Sequence, residues 1–128
     1  MTLRAIKTTN APGAVASYSQ AIDTGQFVFL AGQIGLDPAT QQVVDGFEAQ
    51  VERTLRNLMA VLDAAGLSMA DVVKTTCFLA DIRDFAAFNA VYARFVGDPP
   101  PARSTFAVAG LPRGALIEIE AIAARPGS

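Results

Sequence analysis

The sequence predicts an α+β fold: one mostly antiparallel sheet with two helices packed on a single face. Two observations carry this. Apolar patterns of period two and period 3.6 follow one another in the order strands, helix, strand, helix, strands. The final stretch alternates cleanly, with Ile117, Ile119, Ala121 and Ala123 on one face and Leu116, Glu118, Glu120 and Ile122 on the other. The chain has 128 residues, of which 52% are apolar. That is the size of one domain, here 1–128, with ample material for a core.

Residues 3–8 form a first candidate strand, and 17–23 and 26–33 two more around a turn at Thr24-Gly25. The run Phe27-Val28-Phe29-Leu30-Ala31 is continuously apolar, as in a strand covered on both faces. Gly32, directly after it, reads as a bulge or a close approach of backbone. Asp37-Pro38 opens a turn, because proline pre-sets φ. Residues 46–65 give the clearest helix, with Phe47, Val51, Leu55, Leu58, Leu62 and Ala65 in one stripe. Asp45 is placed to cap it, Glu48 to complete a capping box, and Gly66 to stop it in the left-handed region. A strand rich in β-branched residues follows at 72–79. A second helix is expected at 85–96, with the stripe Phe85, Phe88, Tyr92, Phe95 in the core and Gly97 at its end. Gly97 to Pro101 is a short rigid connection. Two last strands, 103–109 and 116–123, flank a loop near Gly110–Ala115.

Composition excludes more than it includes. Charged residues make up 17%, below the roughly 25% of an average domain, which points to surface buried between subunits. Net charge is −2 and the ten Lys and Arg residues are scattered, a poor match to a phosphate-backbone binder. The N-terminus lacks an apolar signal core, and no stretch approaches the roughly 20 apolar residues of a membrane span. The one cysteine, Cys77, has no intrachain partner. A cytoplasmic location is expected. With no histidine, Ser-His-Asp and Cys-His nucleophile systems and histidine zinc sites are excluded. Cys77 reads as a core residue and Lys74 as a surface or interface residue. Proton transfer is left to a carboxylate, a tyrosine, the thiol or water.

The two last strands hold the polar residues of interest. Drawn as a hairpin centred between Pro112 and Arg113, they place Ala107 opposite Glu118, Thr105 opposite Glu120 and Arg103 opposite Ile122. Arg103, Thr105, Glu118 and Glu120 then share the face away from the helices. A one-residue slip would undo this. An arginine grips a carboxylate through two parallel hydrogen bonds, and a nearby glutamate orients or deprotonates water. The plainer alternative is a cross-strand ion pair.

Pro101-Ala102-Arg103-Ser104, Ile117-Glu118-Ile119-Glu120-Ala121-Ile122-Ala123, Ala31-Gly32-Gln33-Ile34, Val73-Lys74-Thr75-Thr76 and Phe88-Asn89 resemble the RidA/YjgF family of reactive-intermediate deaminases, also labelled endoribonuclease L-PSP. The likeness spans nearly the whole chain in order and spacing. It implies a chorismate-mutase-like subunit in a homotrimer, with sheets packed into a barrel and a site at each subunit interface. The implied reaction is hydrolysis of enamines or imines, such as 2-aminoacrylate, to the 2-keto acid and ammonia, with no metal or organic cofactor. By resemblance, Arg103 binds the substrate carboxylate and Glu118 positions the attacking water. Tyr18, Gly32 and Asn89 match pocket positions. Thr105 and Ala31 stand where the family commonly has cysteine and serine, which opens the choice of substrate; the backbone amide at 105 can still serve. Two rival functions are a non-catalytic trimer that binds small carboxylates or acts as a chaperone, and a ribonuclease. The acidic balance and missing histidine oppose the ribonuclease.

Overall fold

The computed structural model describes residues 2–127. Its main sheet uses β1 (Arg4–Ile6), β2 (Ala21–Asp23), β3 (Phe27–Ile34), β6 (Val72–Leu79), β7 (Ala102–Ala107) and β8 (Ile117–Ala124). The order across the sheet is β1-β2-β3-β8-β6-β7, and β4 (Leu36–Asp37) and β5 (Gln42–Val43) form a separate short hairpin. All pairings in the sheet are antiparallel except β6 with β7. Helices α1 (Phe47–Ala64) and α2 (Phe85–Tyr92) cover one face. No helix among the described residues is long and apolar enough to cross a membrane.

The expected α+β layer is thus present. Its core lies between the helices and the inward side chains of the central strands. Val28 and Leu30 of β3, Cys77 and Leu79 of β6, and Ile117 and Ile119 of β8 meet Val51, Leu55, Leu58 and Leu62 of α1 and Phe88 of α2. Burial of the Cys77 thiol pushes its pKa up to about 11, which suits a packing residue rather than a nucleophile. The opposite face of the sheet is open. Phe27, Phe29, Val73 and Phe106 are each more than a third exposed there.

Four local expectations are corrected. The strand expected from residue 17 begins only at Ala21, because the Gln20 side chain turns away to bond the backbone of Thr8 and Pro12. Asp45 does not cap α1: Gly46, at φ 92°, is the residue before the helix, and no side chain caps it. α2 ends at Tyr92 rather than 96, and Phe85 remains 38% exposed, so only part of its stripe is core.

The fourth correction is the largest. β7 and β8 do not form a hairpin. β8 inserts between β3 and β6, while β7 lies parallel to β6 at the sheet edge. The loop between them therefore crosses over β6. The physical reason is burial: the Ile117–Ala123 face needs neighbours on both sides, whereas β7 is polar or exposed along much of its length.

Candidate active site: two half-sites on opposite faces

This topology separates the predicted site residues. Arg103 registers with Thr75 and Thr105 with Cys77, so both side chains lie on the helix side of the sheet. Glu118 registers with Phe78 and Ile34 and lies on the open side. Within one chain the four residues do not share a face, and an intrachain Arg103–Glu118 ion pair is absent.

The first half-site forms around Glu118. The β3–β8 register slips between Leu30 and Gln33, and Gly32 sits in that bulge. A Cβ built on Gly32 would stand 2.9 Å from Glu118 Cδ and closer still to Oε2. Both sequence readings of Gly32 therefore hold: it is in a bulge, and it makes room for the carboxylate. Burial, and then the charge of Glu120, raise Glu118 above the usual glutamate pKa. Tyr18, half exposed, borders the same cavity of about 520 Å³ with Gly32, Glu118 and Glu120.

The second half-site forms around Arg103 at the sheet edge. Its guanidinium lies 4.9 Å from the Tyr92 ring centre, 5.3 Å from Phe88 and 5.7 Å from Phe85. The aromatic faces hold a cation without neutralising it. No carboxylate lies within ion-pair distance of Arg103 among the described residues. Asn89 borders the same hollow, with Pro100 and Pro101. Asn89 Oδ1 and Thr105 Oγ1 are buried and have no hydrogen-bond partner. Buried polar atoms in native proteins are nearly always paired, so these two are left to a group from outside the chain, water among them. Tyr92, which the sequence offered only as core, is also the platform under Arg103; its hydroxyl is fixed by Thr75 Oγ1 at 2.7 Å.

The frame around the first half-site is polar and buried, which sequence patterning missed. Asn57 of α1 donates to the carbonyls of Ile34 and Leu36 at 3.0 and 2.9 Å, where the chain leaves β3 for β4. Gln50 Oε1 accepts from the Leu116 N–H at 2.8 Å, fixing the entry to β8. Both sit inside an apolar helix stripe, where only their i, i+7 spacing hints at a shared purpose.

A six-stranded sheet backed by two helices, with a carboxylate on its open face and an unpaired arginine at its edge, defines an α+β subunit of the L-PSP/YjgF type. The chain matches the family model described as Endoribonuclease L-PSP over residues 8–125, and it belongs to that family, also known as RidA/YjgF. It is 51% identical over 126 residues to Protein DfrA of Myxococcus xanthus, covering 96% of each chain. It is 46% identical over 125 residues to the 2-iminobutanoate/2-iminopropanoate deaminase of Salmonella typhimurium, covering 95% of this chain and 98% of that one. The crystal structure of RidA from the Antarctic bacterium Psychrobacter sp. superposes with a TM-score of 0.93 at 43% identity, covering 95% of this chain and 99% of that one.

Proposed function

We propose that this protein is a hydrolytic deaminase of enamine and imine intermediates, acting at sites completed between copies in a homotrimer. The observation that carries the proposal is the separation of Arg103 and Glu118 onto opposite faces of one sheet. Each lies in a half-open site with unmet chemistry. Bringing the Arg103 edge of one copy against the open face of the next would give one pocket with a cation, a carboxylate and Gly32 between its walls. The exposed Phe27, Phe29, Val73 and Phe106 support a sheet-to-sheet assembly, as in a barrel. The name of the Salmonella relative supports the reaction.

In this pocket Arg103 binds the substrate carboxylate through its fork of N–H donors. The bound carboxylate neutralises Arg103, so Glu118 keeps its raised proton affinity and serves as a general base near neutral pH. An enamine first takes a proton from solvent at its β-carbon to give the iminium, a proton that the final release of the hydroxyl proton returns. Water, losing a proton to Glu118, attacks C2 and forms a tetrahedral carbinolamine. Glu118 returns that proton to nitrogen, the C–N bond breaks, and the hydroxyl proton is released. The products are the 2-keto acid and ammonia, and no electrons change hands.

The test uses imines generated freshly by an amino-acid oxidase. Keto-acid release should accelerate with the wild-type protein, and Arg103→Ala should lose about 100-fold or more of that acceleration, since it removes the charge-assisted anchor. Binding of 2-ketobutyrate by calorimetry with no acceleration of any imine would instead establish the non-catalytic binding role.

A further inference from the structure

Two non-glycine residues among those described hold a left-handed backbone: Gln41 at φ 63° and Arg113 at φ 59°. They are 72 positions apart in sequence, yet Arg113 Nη2 donates to the Gln41 carbonyl at 3.0 Å. Both border the Glu118 cavity. Side chains larger than glycine seldom adopt this conformation, and where they do, the surroundings impose it; such residues gather at ligand clamps. Gln41 closes the turn in which its N–H bonds the Asp37 carbonyl, between β4 and β5. Glycine would be unstrained there. Arg113 lies in the short 3-10 turn Pro112–Gly114, just before β8. The turn and the hairpin thus meet through this one bond at the rim of the cavity.

The bond fixes Arg113 on a neutral carbonyl, which leaves its charge available. No carboxylate stands within ion-pair distance of it among the described residues. Arg113 is also the one cation in the described lining of this cavity. Glu120 borders the cavity as well, but it lines a second hollow with Lys74. The hollow measures about 520 Å³ and is open on one side in the single chain. Its walls include Pro12, Val15, Ile34, Leu36 and Pro112. Beside Glu118 and Glu120, these apolar walls with one cation on the rim suit a short hydrocarbon stem whose terminal anion meets Arg113.

We propose that Arg113 is a specificity-determining residue that takes a second carboxylate, so that the preferred substrates are imines of 2-keto dicarboxylic acids. This rests on the deaminase reading, which assigns the first carboxylate to Arg103 of another copy. The alternative is that Arg113 merely offsets the charges of Glu118 and Glu120, in which case it would affect mono- and dicarboxylates alike.

Calorimetric titration of the assembled protein with 2-ketobutyrate and 2-ketoglutarate separates these. The wild type should bind 2-ketoglutarate about tenfold or more tightly than 2-ketobutyrate, as one charge-assisted contact allows. Arg113→Ala should bring that ratio close to one, and Arg113→Lys should leave it in between. Equal affinities in the wild type overturn the inference while leaving the deaminase reading intact. So does a ratio that survives Arg113→Ala, or a proportional loss for both ligands. If the wild type binds neither keto acid, the deaminase reading falls and this inference falls with it.

Discussion

At the scale of single residues, Gly32 and Glu118 form one unit. A side chain at position 32 would collide with the Glu118 carboxylate, which occupies that space. Gly32→Ala should push the Glu118 carboxylate from its place while leaving the β3–β8 pairing intact. We expect imine turnover to fall about 100-fold or more, the usual scale for losing a positioned general base, with only a small change in melting temperature. Glu118→Gln should match that loss without any steric change. The pH profile gives a further check. In the proposed mechanism Glu118 is ionised when it accepts the proton from water, and its pKa is raised by burial and by Glu120. Wild-type kcat should therefore rise with pH through a value above the usual glutamate pKa of about 4.3, and Glu118→Gln should lack that rise. Gly32 was legible in the sequence as a bulge or close approach. The partner in that approach was not, because it comes from a strand 86 positions later.

At the scale of elements, α1 does two jobs with one face. Val51, Leu55, Leu58 and Leu62 pack the core, and Gln50, Thr54 and Asn57 are buried beside them. Asn57 is the keystone of the β3–β4 bend, since its two donated bonds satisfy the Ile34 and Leu36 carbonyls. Asn57→Leu leaves both carbonyls without that donor, the Leu36 carbonyl buried and the Ile34 carbonyl partly so. It should destabilise the fold by about 1–3 kcal/mol for the buried Leu36 carbonyl left unpaired, with a smaller addition from the partly exposed Ile34 carbonyl. Equilibrium denaturation would measure this, and Leu58→Ala offers a calibrating core deletion at about 2–5 kcal/mol. The apolar stripe of α1 was legible because burial repeats every three or four residues. The polar bonds were not, because a hydrogen bond between α1 and a distant strand end leaves no periodic trace.

At the scale of the whole molecule, the ends of the chain are drawn together around Asp23. Arg4 and Arg125 both bond its carboxylate, and Arg125 also caps the carbonyl of Ala65 at the end of α1. The Arg125 and Gly25 hydrogen bonds, then Arg4, hold the Asp23 pKa well below the usual carboxylate range. That clamp ties β1, β2 and the segment after β8 to the end of α1. If the active site joins an Arg103 edge to the Glu118 face of another copy, two dead variants should rescue each other. Arg103→Ala and Glu118→Gln, unfolded together at equal amounts and reassembled, should regain about one quarter of wild-type activity. This is the chance that a heterologous interface pairs an intact arginine with an intact glutamate. No recovery above the separate variants, in a procedure that restores wild-type activity, would overturn a site shared between copies.

By itself, the sequence determined the layer architecture, the helix-covered face of β8, the membership of Cys77 in the core, and the residue types from which the candidate site is drawn. These follow from local periodicity and from chemistry that a side chain carries wherever it lies. Only the tertiary structure decided the order of strands. Arg103 and Glu118 sit 15 positions apart and alternate in compatible phase, so a hairpin was the simplest drawing. Strand pairing is instead set by which faces must be buried and by how many neighbours each strand requires. By inserting β8 beside β3 and sending β7 to the far edge of β6, the fold moved the arginine to one side of the sheet and the glutamate to the other.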